Sequence, residues 1–512
     1  MKLAMRSRLA LLSLLGAAAC APVESAQPPK APPPKTVPIT VTLPGRPETP
    51  DAPFRQTPPP EDGPLTFVPP KIESFKLKNG LKVLLVERHD LPIVGVSVVF
   101  KHGSGDYPSL APGVAAFTAG MIEQGSTTRD GVQINDEYEE IGARHGVGVT
   151  GDSATAFVSV LTRHLERGVG LMSDVLLHPA FAEPEVGKMR SRRLSGLVTE
   201  RNSPEAMVQN ALAAAVFGRS HPYGNTAGGR AEDIKKITRD DVLKAYATLF
   251  SPKHATIVVV GDVNQKAVTP LLQKAFGAWK PAPGATPPKL PPPAAGSQSR
   301  LVWVDRPGSA QSLVRVVAEI PVPNDSPDRI PLQVMNAVLG GGLTARLSMN
   351  LRETHGYTYG ATSGLSLRHG PGTWTAQSGV QSQSTGPAIK EVFHEVARMR
   401  DEEIKGAELA DAKEQVRRGT QAPYETLAGV VGALSAVTVY DRPLEDITGV
   451  AARIDAVTAA DVRRVAQKYL RAEVLKVVVV GDKTKLDMAP LQPLNLGALE
   501  LRDEFGDPIG AK

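Results

Sequence analysis

Residues 237–262 and 457–482 spell the same segment twice, and this duplication narrows the folds open to the chain more than any other feature. The first copy reads ITRDDVLKAYATLFSPKHATIVVVGD and the second VTAADVRRVAQKYLRAEVLKVVVVGD, aligned without a gap at a spacing of 220 positions. Thr238 coincides with Thr458, Asp241 with Asp461 and Val242 with Val462. In each copy the Thr stands where a helix N-cap belongs, because its hydroxyl can accept from an otherwise orphaned amide of the first turn. A helix follows, then a turn, then a β-branched run that reads as a buried strand ending at Gly-Asp. A unit repeated at this spacing makes the body two related halves.

Each half also opens with strands. Phe75–Val86 reads as a hairpin, in which Asn79-Gly80 suits a type I′ turn because both residues tolerate positive φ. Ile93–Lys101 continues as a strand, and Leu301–Val304 and Ser312–Ile320 do the same work in the second half. Helices are expected between strands at Pro112–Gln124, Pro184–Glu200, Ile330–Val338 and Ala388–Glu403. Helices and strands mix without strict alternation, so the expected class is α+β. Residues 281–300 hold seven prolines and read as a linker between the halves that would permit a hinge. The expected boundaries are a leader at 1–20, a tether at 21–70, a first domain at 71–280, the linker, a second domain at 301–483 and a tail at 484–512.

Composition removes several function classes. Hydrophobic residues make up 41% and charged residues 22%, which fits a globular body rather than a disordered chain. The formal charge of +5 owes part of its excess to Lys2, Arg6 and Arg8; without them 55 basic residues face 53 acidic ones. That balance leaves no electrostatic footprint for nucleic acid, so none is expected as a partner. The lone Cys20 excludes a disulfide within the chain and any metal site built on two thiolates.

Residues 1–20 read MKLAMRSRLALLSLLGAAAC, a basic stretch, an apolar run and then small residues. That is the pattern of a secretory signal, too short for a permanent spanning helix. The ending Gly16-Ala17-Ala18-Ala19-Cys20 resembles a bacterial lipoprotein signal, although Ala17 stands where Leu is usual. The resemblance implies lipidation of Cys20 and, with Ala21 next to it, an outer-membrane anchor facing the periplasm. The other reading is ordinary cleavage after Ala19, leaving a free thiol. Residues 21–70 contain 17 prolines and should form an extended, disordered spacer between membrane and body.

The segment Gly113-Val-Ala-Ala-Phe-Thr-Ala-Gly-Met-Ile-Glu-Gln-Gly-Ser126 resembles the signature helix of the pitrilysin/insulinase metallopeptidases. Leu176-Leu-His-Pro-Ala-Phe181, His221-Pro-Tyr-Gly224 and the VVVGD strands are similar to further landmarks of that family, in the same order over about residues 72–483. The resemblance implies two homologous halves forming a clamshell. In active members the helix carries H-x-x-E-H, two zinc ligands and the glutamate that polarises water, and a later helix gives a third ligand. Laid on this chain, those positions are Ala116, Ala119, Gly120 and Gly196, and all four polar groups are missing. Alanine and glycine have no side-chain lone pair, so this site can hold no metal. No other H-x-x-E-H or H-E-x-x-H string occurs; His394-Glu-Val-Ala-Arg398 ends in Arg, which cannot ligate. Glu123 and Glu200, near the signature helices, read as surface or capping charges.

Gly340-Gly-Gly-Leu-Thr-Ala-Arg-Leu-Ser-Met-Asn-Leu-Arg-Glu-Thr-His-Gly-Tyr-Thr-Tyr-Gly360 is similar to a second family landmark. It reads as a glycine run opening a helix that stops at Gly356, followed by a strand. A phosphate site at the glycines is discounted, because no Walker lysine follows. The resemblance implies that Arg352 and Tyr359 face the reaction chamber and bind substrate; from composition alone they could equally be a snorkelling Arg and a packed Tyr. The expected function is therefore a non-catalytic, substrate-binding subunit of a heteromeric zinc endopeptidase acting on peptides or unfolded proteins. It implies no catalytic residue and no cofactor in this chain, zinc in the partner subunit, and a homologous partner with an intact H-x-x-E-H. The alternatives are a peptide-binding or scaffold lipoprotein without a peptidase partner, and an active zinc peptidase using ligands not visible in the sequence.

Overall fold

A computed structural model describes residues 67–280, Pro287, Leu290 and 299–510. The leader, Cys20, the tether up to Thr66 and most of the linker at 281–300 lie outside the described residues. The body, Phe67–Lys512, forms a single compact unit.

Its described residues contain twelve strands. In the first half they are β1 (Glu73–Lys76), β2 (Lys82–Glu87), β3 (Ile93–Phe100), β4 (Arg144–Val149), β5 (Ala154–Leu161) and β6 (Ala255–Gly261). In the second they are β7 (Leu301–Asp305), β8 (Gln311–Ile320), β9 (Thr358–Ser366), β10 (Gly372–Gln381), β11 (Lys476–Gly481) and β12 (Leu499–Arg502). The sheets run β1-β2-β6-β3-β5-β4 and β12-β7-β11-β8-β10-β9. Five strands of each sheet correspond one to one, in the same order, and β2–β6 and β7–β11 are parallel while the following pairs are antiparallel. The duplication seen in the last 26 residues of each copy therefore extends through both halves.

The repeated helices carry the capping expected of them. Thr238 accepts from the amide of Asp241, whose carboxylate accepts from the Thr238 amide, and Thr458 and Asp461 repeat this arrangement. The strands that follow are buried because each has a core on both faces. In β6, Ile257 and Val259 enter the core of the first half, while Val258 and Val260 meet Val430, Leu434 and Val437. In β11, Val477 and Val479 enter the core of the second half, while Val478 and Val480 meet Met207, Val208, Ala211 and Ala215. The covering helices are exchanged. Leu427–Val439 belongs to the second half and packs on the first sheet; Pro204–Phe217 belongs to the first half and packs on the second. Each buried Val or Leu contributes about 1.5–3 kcal/mol of transfer free energy, so this exchange fastens the halves together.

Three details depart from expectation. The β1–β2 turn is not type I′, because Asn79 keeps negative φ and only Gly80 is left-handed, at φ +90°. The Gly80 amide bonds Leu77 O and the Leu77 amide bonds Leu81 O, both at 2.9 Å, which makes a three-residue loop with a glycine bulge. Asn79 is held instead by donating to Phe276 O and Trp279 O. Second, the tail is no appendage: β12 pairs in parallel with β7 and closes the edge of the second sheet that the β1 hairpin closes in the first. Third, the glycines at 340–342 do not open a helix. Gly340 ends the helix Arg329–Gly340, and helical structure resumes only at Arg346–Ser348, followed by a wide π-type turn at Met349–Thr354. A Cβ on Gly340 would lie 2.4 Å from the Ser363 amide, so the glycine allows close approach to β9. The stop at Gly356 is as expected, with φ +63°.

Candidate functional site

The signature segment forms the helix Val114–Ile122, and Gly113 precedes it at φ +85°. Ala116, Ala119 and Gly120 fall at i, i+3 and i+4, so they share one face. That face meets the helix Glu183–Glu200, which carries Gly196. The two helices expected to share a metal do lie side by side, and the face of Gly120 meets the Met189 side chain. Ala119 is buried, and a Cβ on Gly120 would lie 3.1 Å from the Met189 terminal methyl. The nearby acids are paired. Glu123 Oε1 is 2.6 Å from His145 Nδ1, and the His145 ring stacks on Tyr138 at 3.7 Å. Glu200 accepts two bonds from Arg193. Among the described residues, no group of three metal-ligating side chains converges at these two helices.

The landmark His221-Pro-Tyr-Gly224 is structural. His221 and Tyr223 are buried, and His221 Nδ1 accepts from the Tyr223 amide at 3.1 Å. The Tyr223 hydroxyl donates to Asp152 at 2.7 Å, and Tyr440 of the second half donates to the same carboxylate at 2.9 Å. Burial and the Asp152 charge hold both phenols protonated, well above the usual tyrosine range.

Arg352 and Tyr359 are brought together. Arg352 sits in the turn before Gly356, Tyr359 near the start of the edge strand β9, and the guanidinium carbon lies 5.2 Å from the ring centroid. The Arg352 side chain also touches Glu353 at 3.3 Å. Tyr359 is 87% exposed, so it is not a core residue. The pair offers a cation and a phenol to whatever approaches this surface.

Sequence reasoning missed a third group. His102 and Asp106 lie in the loop after β3, and His369 lies in the turn between β9 and β10. His369 Nδ1 is 3.0 and 3.1 Å from the two Asp106 oxygens, and His369 Nε2 is 2.9 Å from Val439 O. Burial alone would lower the His369 pKa, but the Asp106 carboxylate and the Val439 carbonyl outweigh it and push the group up to about 9. Burial likewise works against ionised Asp106, yet contacts from His102 and His369 keep its pKa below the usual carboxylate range. Beside this group lies a cavity of about 500 Å³, lined from both halves by Ser104, Asp152, Tyr223, Arg368 and Tyr440 among others. The spacing His102-x-x-x-Asp106 was visible in the sequence; its partner 263 positions further on was not.

Residues 82–228 match the family model for insulinase (peptidase family M16), and residues 236–416 match the model for the peptidase M16 inactive domain. The chain is similar to an uncharacterized zinc protease of Rickettsia felis, 24% identical over 69% of this chain and 84% of that one. One from Mycobacterium bovis is 25% identical over 77% and 90%. Human mitochondrial cytochrome b-c1 complex subunit 1 is 26% identical over 54% of this chain and 56% of its own length. Among solved structures, a peptidase M16 inactive domain from Pseudomonas fluorescens superposes with a TM-score of 0.72 at 24% identity, covering 81% of this chain and 98% of that one.

Proposed function

Because the chain belongs to the insulinase (M16) peptidase family, we propose that it is the non-catalytic, substrate-binding subunit of a heteromeric zinc endopeptidase that acts on peptides or unfolded proteins in the periplasm. One contrast carries this reading: on the helix pair Val114–Ile122 and Glu183–Glu200 the positions Ala116, Ala119, Gly120 and Gly196 carry no ligand atom, while the half-buried Arg352 stands paired with the exposed Tyr359. The residues present do not fit zinc at that helix pair, so no hydrolytic step runs through it. The metal-bound water belongs to a homologous partner with an intact H-x-x-E-H. This chain supplies binding. The Arg352 guanidinium presents a rigid fork to peptide carbonyls, and the Tyr359 hydroxyl can donate to an oxygen on which charge develops. Lipidation of Cys20 would anchor the complex to the outer membrane through the proline-rich tether.

The test mixes the full chain with the H-x-x-E-H homologue and an unfolded polypeptide. Arg352→Ala and Tyr359→Phe should each lower kcat/KM of the pair by about 100-fold, with complex formation and zinc content unchanged. A rate indifferent to both substitutions overturns the reading, as does cleavage by this chain alone. The likeness to a cytochrome b-c1 complex subunit favours a second reading, a scaffold subunit without proteolysis, and the indifferent rate is the result that supports it.

A further inference from the structure

Among the described residues, one group of metal-ligating side chains converges: a donor atom each from His102, Asp106 and His369 lies within 4.8 Å of the other two. Two imidazoles and a carboxylate are the donor set of open zinc sites, which leave a fourth position to water. The distances already approach that geometry. With bonds of about 2.0–2.2 Å, tetrahedral donors stand roughly 3.4 Å apart. His102 Nδ1 is 3.4 Å from Asp106 Oδ2, and His369 Nδ1 is 3.0 Å from the same oxygen. The two imidazole donors lie within 4.8 Å of each other, a gap that side-chain torsions can adjust.

The surroundings are also those of a ligand set. His369 gives its Nε2 proton to Val439 O at 2.9 Å, the outer hydrogen bond that orients a ligating imidazole and leaves Nδ1 facing the metal. Asp106 is 4% exposed, and its Oδ2 also accepts from the Gly103 amide at 3.0 Å, which orients the carboxylate. His102 Nδ1 is shielded from solvent, and Asp106 Oδ2 at 3.4 Å is too far for a strong hydrogen bond. The rings of Tyr107 and His254 meet the His102 ring edge-on and hold it in place. The His102 and His369 side chains are 23% and 20% exposed, which gives an ion a way in.

We propose that His102, Asp106 and His369 bind a divalent transition-metal ion, zinc by the chemistry of the donors, and that this ion ties the loop after β3 in the first half to the β9–β10 turn in the second. Binding replaces the proton that His369 Nδ1 shares with Asp106 and releases it to solvent. The site is separate from the signature helix. The absence of zinc expected there says nothing against a structural ion at the junction, and neither proposal depends on the other.

The experiment uses the full chain in a Cys20→Ser background, so that the lone thiol adds no ligand. The protein is stripped with a chelator, dialysed and given zinc chloride in molar excess, with magnesium chloride as the control. Bound metal is measured by elemental analysis, affinity by competition with a chromophoric chelator, and stability by thermal unfolding. One zinc per chain and a raised Tm are expected, with no magnesium retained. His102→Ala and His369→Gln should each weaken zinc binding by about tenfold or more and abolish the rise in Tm. The partly exposed His102 keeps the test sound if His369→Gln disturbs the fold. Absence of zinc uptake, or uptake that survives both substitutions, overturns the proposal. Arg352 and Tyr359 stay intact throughout, so either outcome leaves the peptidase reading to its own test.

Discussion

The two exchanged helices do the same job with different materials. Leu427–Val439 covers the first sheet with Val430, Leu434 and Val437, and a Cβ on Gly95 in β3 would stand 2.5 Å from the tip of Leu427. Pro204–Phe217 covers the second sheet with smaller residues, Ala211 and Ala215 among them. By register against β6 and β11 the position matching Gly95 is Leu313, and Arg315, which matches Ser97, is a 5% exposed guanidinium that pairs with Glu205 on the covering helix. One contact is hydrocarbon received by a glycine; the other is a charge pair set among small side chains. The surfaces that carry the family landmarks diverge in the same way, with Ala116, Ala119 and Gly120 in one half and Arg352 and Tyr359 in the other. Topology is held by apolar runs and caps that tolerate many side chains, so the chemistry of each half was free to change without disturbing the fold.

The comparison can be broken experimentally. Leu434→Ala should have the largest effect, about 2–5 kcal/mol of unfolding free energy read by urea denaturation, because a fully buried side chain is lost from the contact between halves. An effect within error would mean that the exchanged helix does not hold the first sheet. Gly95→Ala follows, at about 1–3 kcal/mol, since the added methyl must push Leu427 aside. Glu205→Ala tests the other contact and should cost less, about 1 kcal/mol, because Glu205 is 57% exposed and solvent screens the pair. If Glu205→Ala proved the costlier of the two, the charge pair would be the main fastening.

A last contrast is confined to acid. Asp328, which precedes the helix Arg329–Gly340, accepts from Tyr469 at 2.6 Å, Arg464 at 2.7 Å and Lys468 at 3.0 Å. Burial alone would raise its pKa, but these donors outweigh burial and hold it down at about 2, against 3.8 when unfolded. A carboxyl lowered by folding stabilises the native state above its unfolded pKa and loses that contribution as pH falls through the folded one. Unfolding curves should therefore show Asp328 contributing fully above about pH 4 and fading towards pH 2. Asp328→Asn should flatten that part of the profile, and an unchanged acid limb would remove Asp328 from the account.

How much of this was legible in advance can be argued residue by residue. The gap-free match of 237–262 with 457–482 gave two halves, and the Thr-Asp caps and buried valine strands appear where that match put them. The loss at Ala116, Ala119, Gly120 and Gly196 was readable because a missing lone pair is a property of residue type, independent of folding. The turn at Asn79-Gly80 was misjudged because Asn tolerates either sign of φ, and contacts with Phe276 and Trp279, some 200 positions away, settle which it takes. The C-terminal strand was not legible, because four residues of strand carry too weak a pattern to announce a sheet edge.

The sequence by itself determined the duplication, the secondary-structure order and the absence of ligands on the signature helix, because each depends on residue type and local period. Only the tertiary structure decided that each half lends a helix to the other and that His102 and Asp106 meet His369. Those contacts join residues far apart in the chain, and no local preference encodes a partner that lies hundreds of positions away.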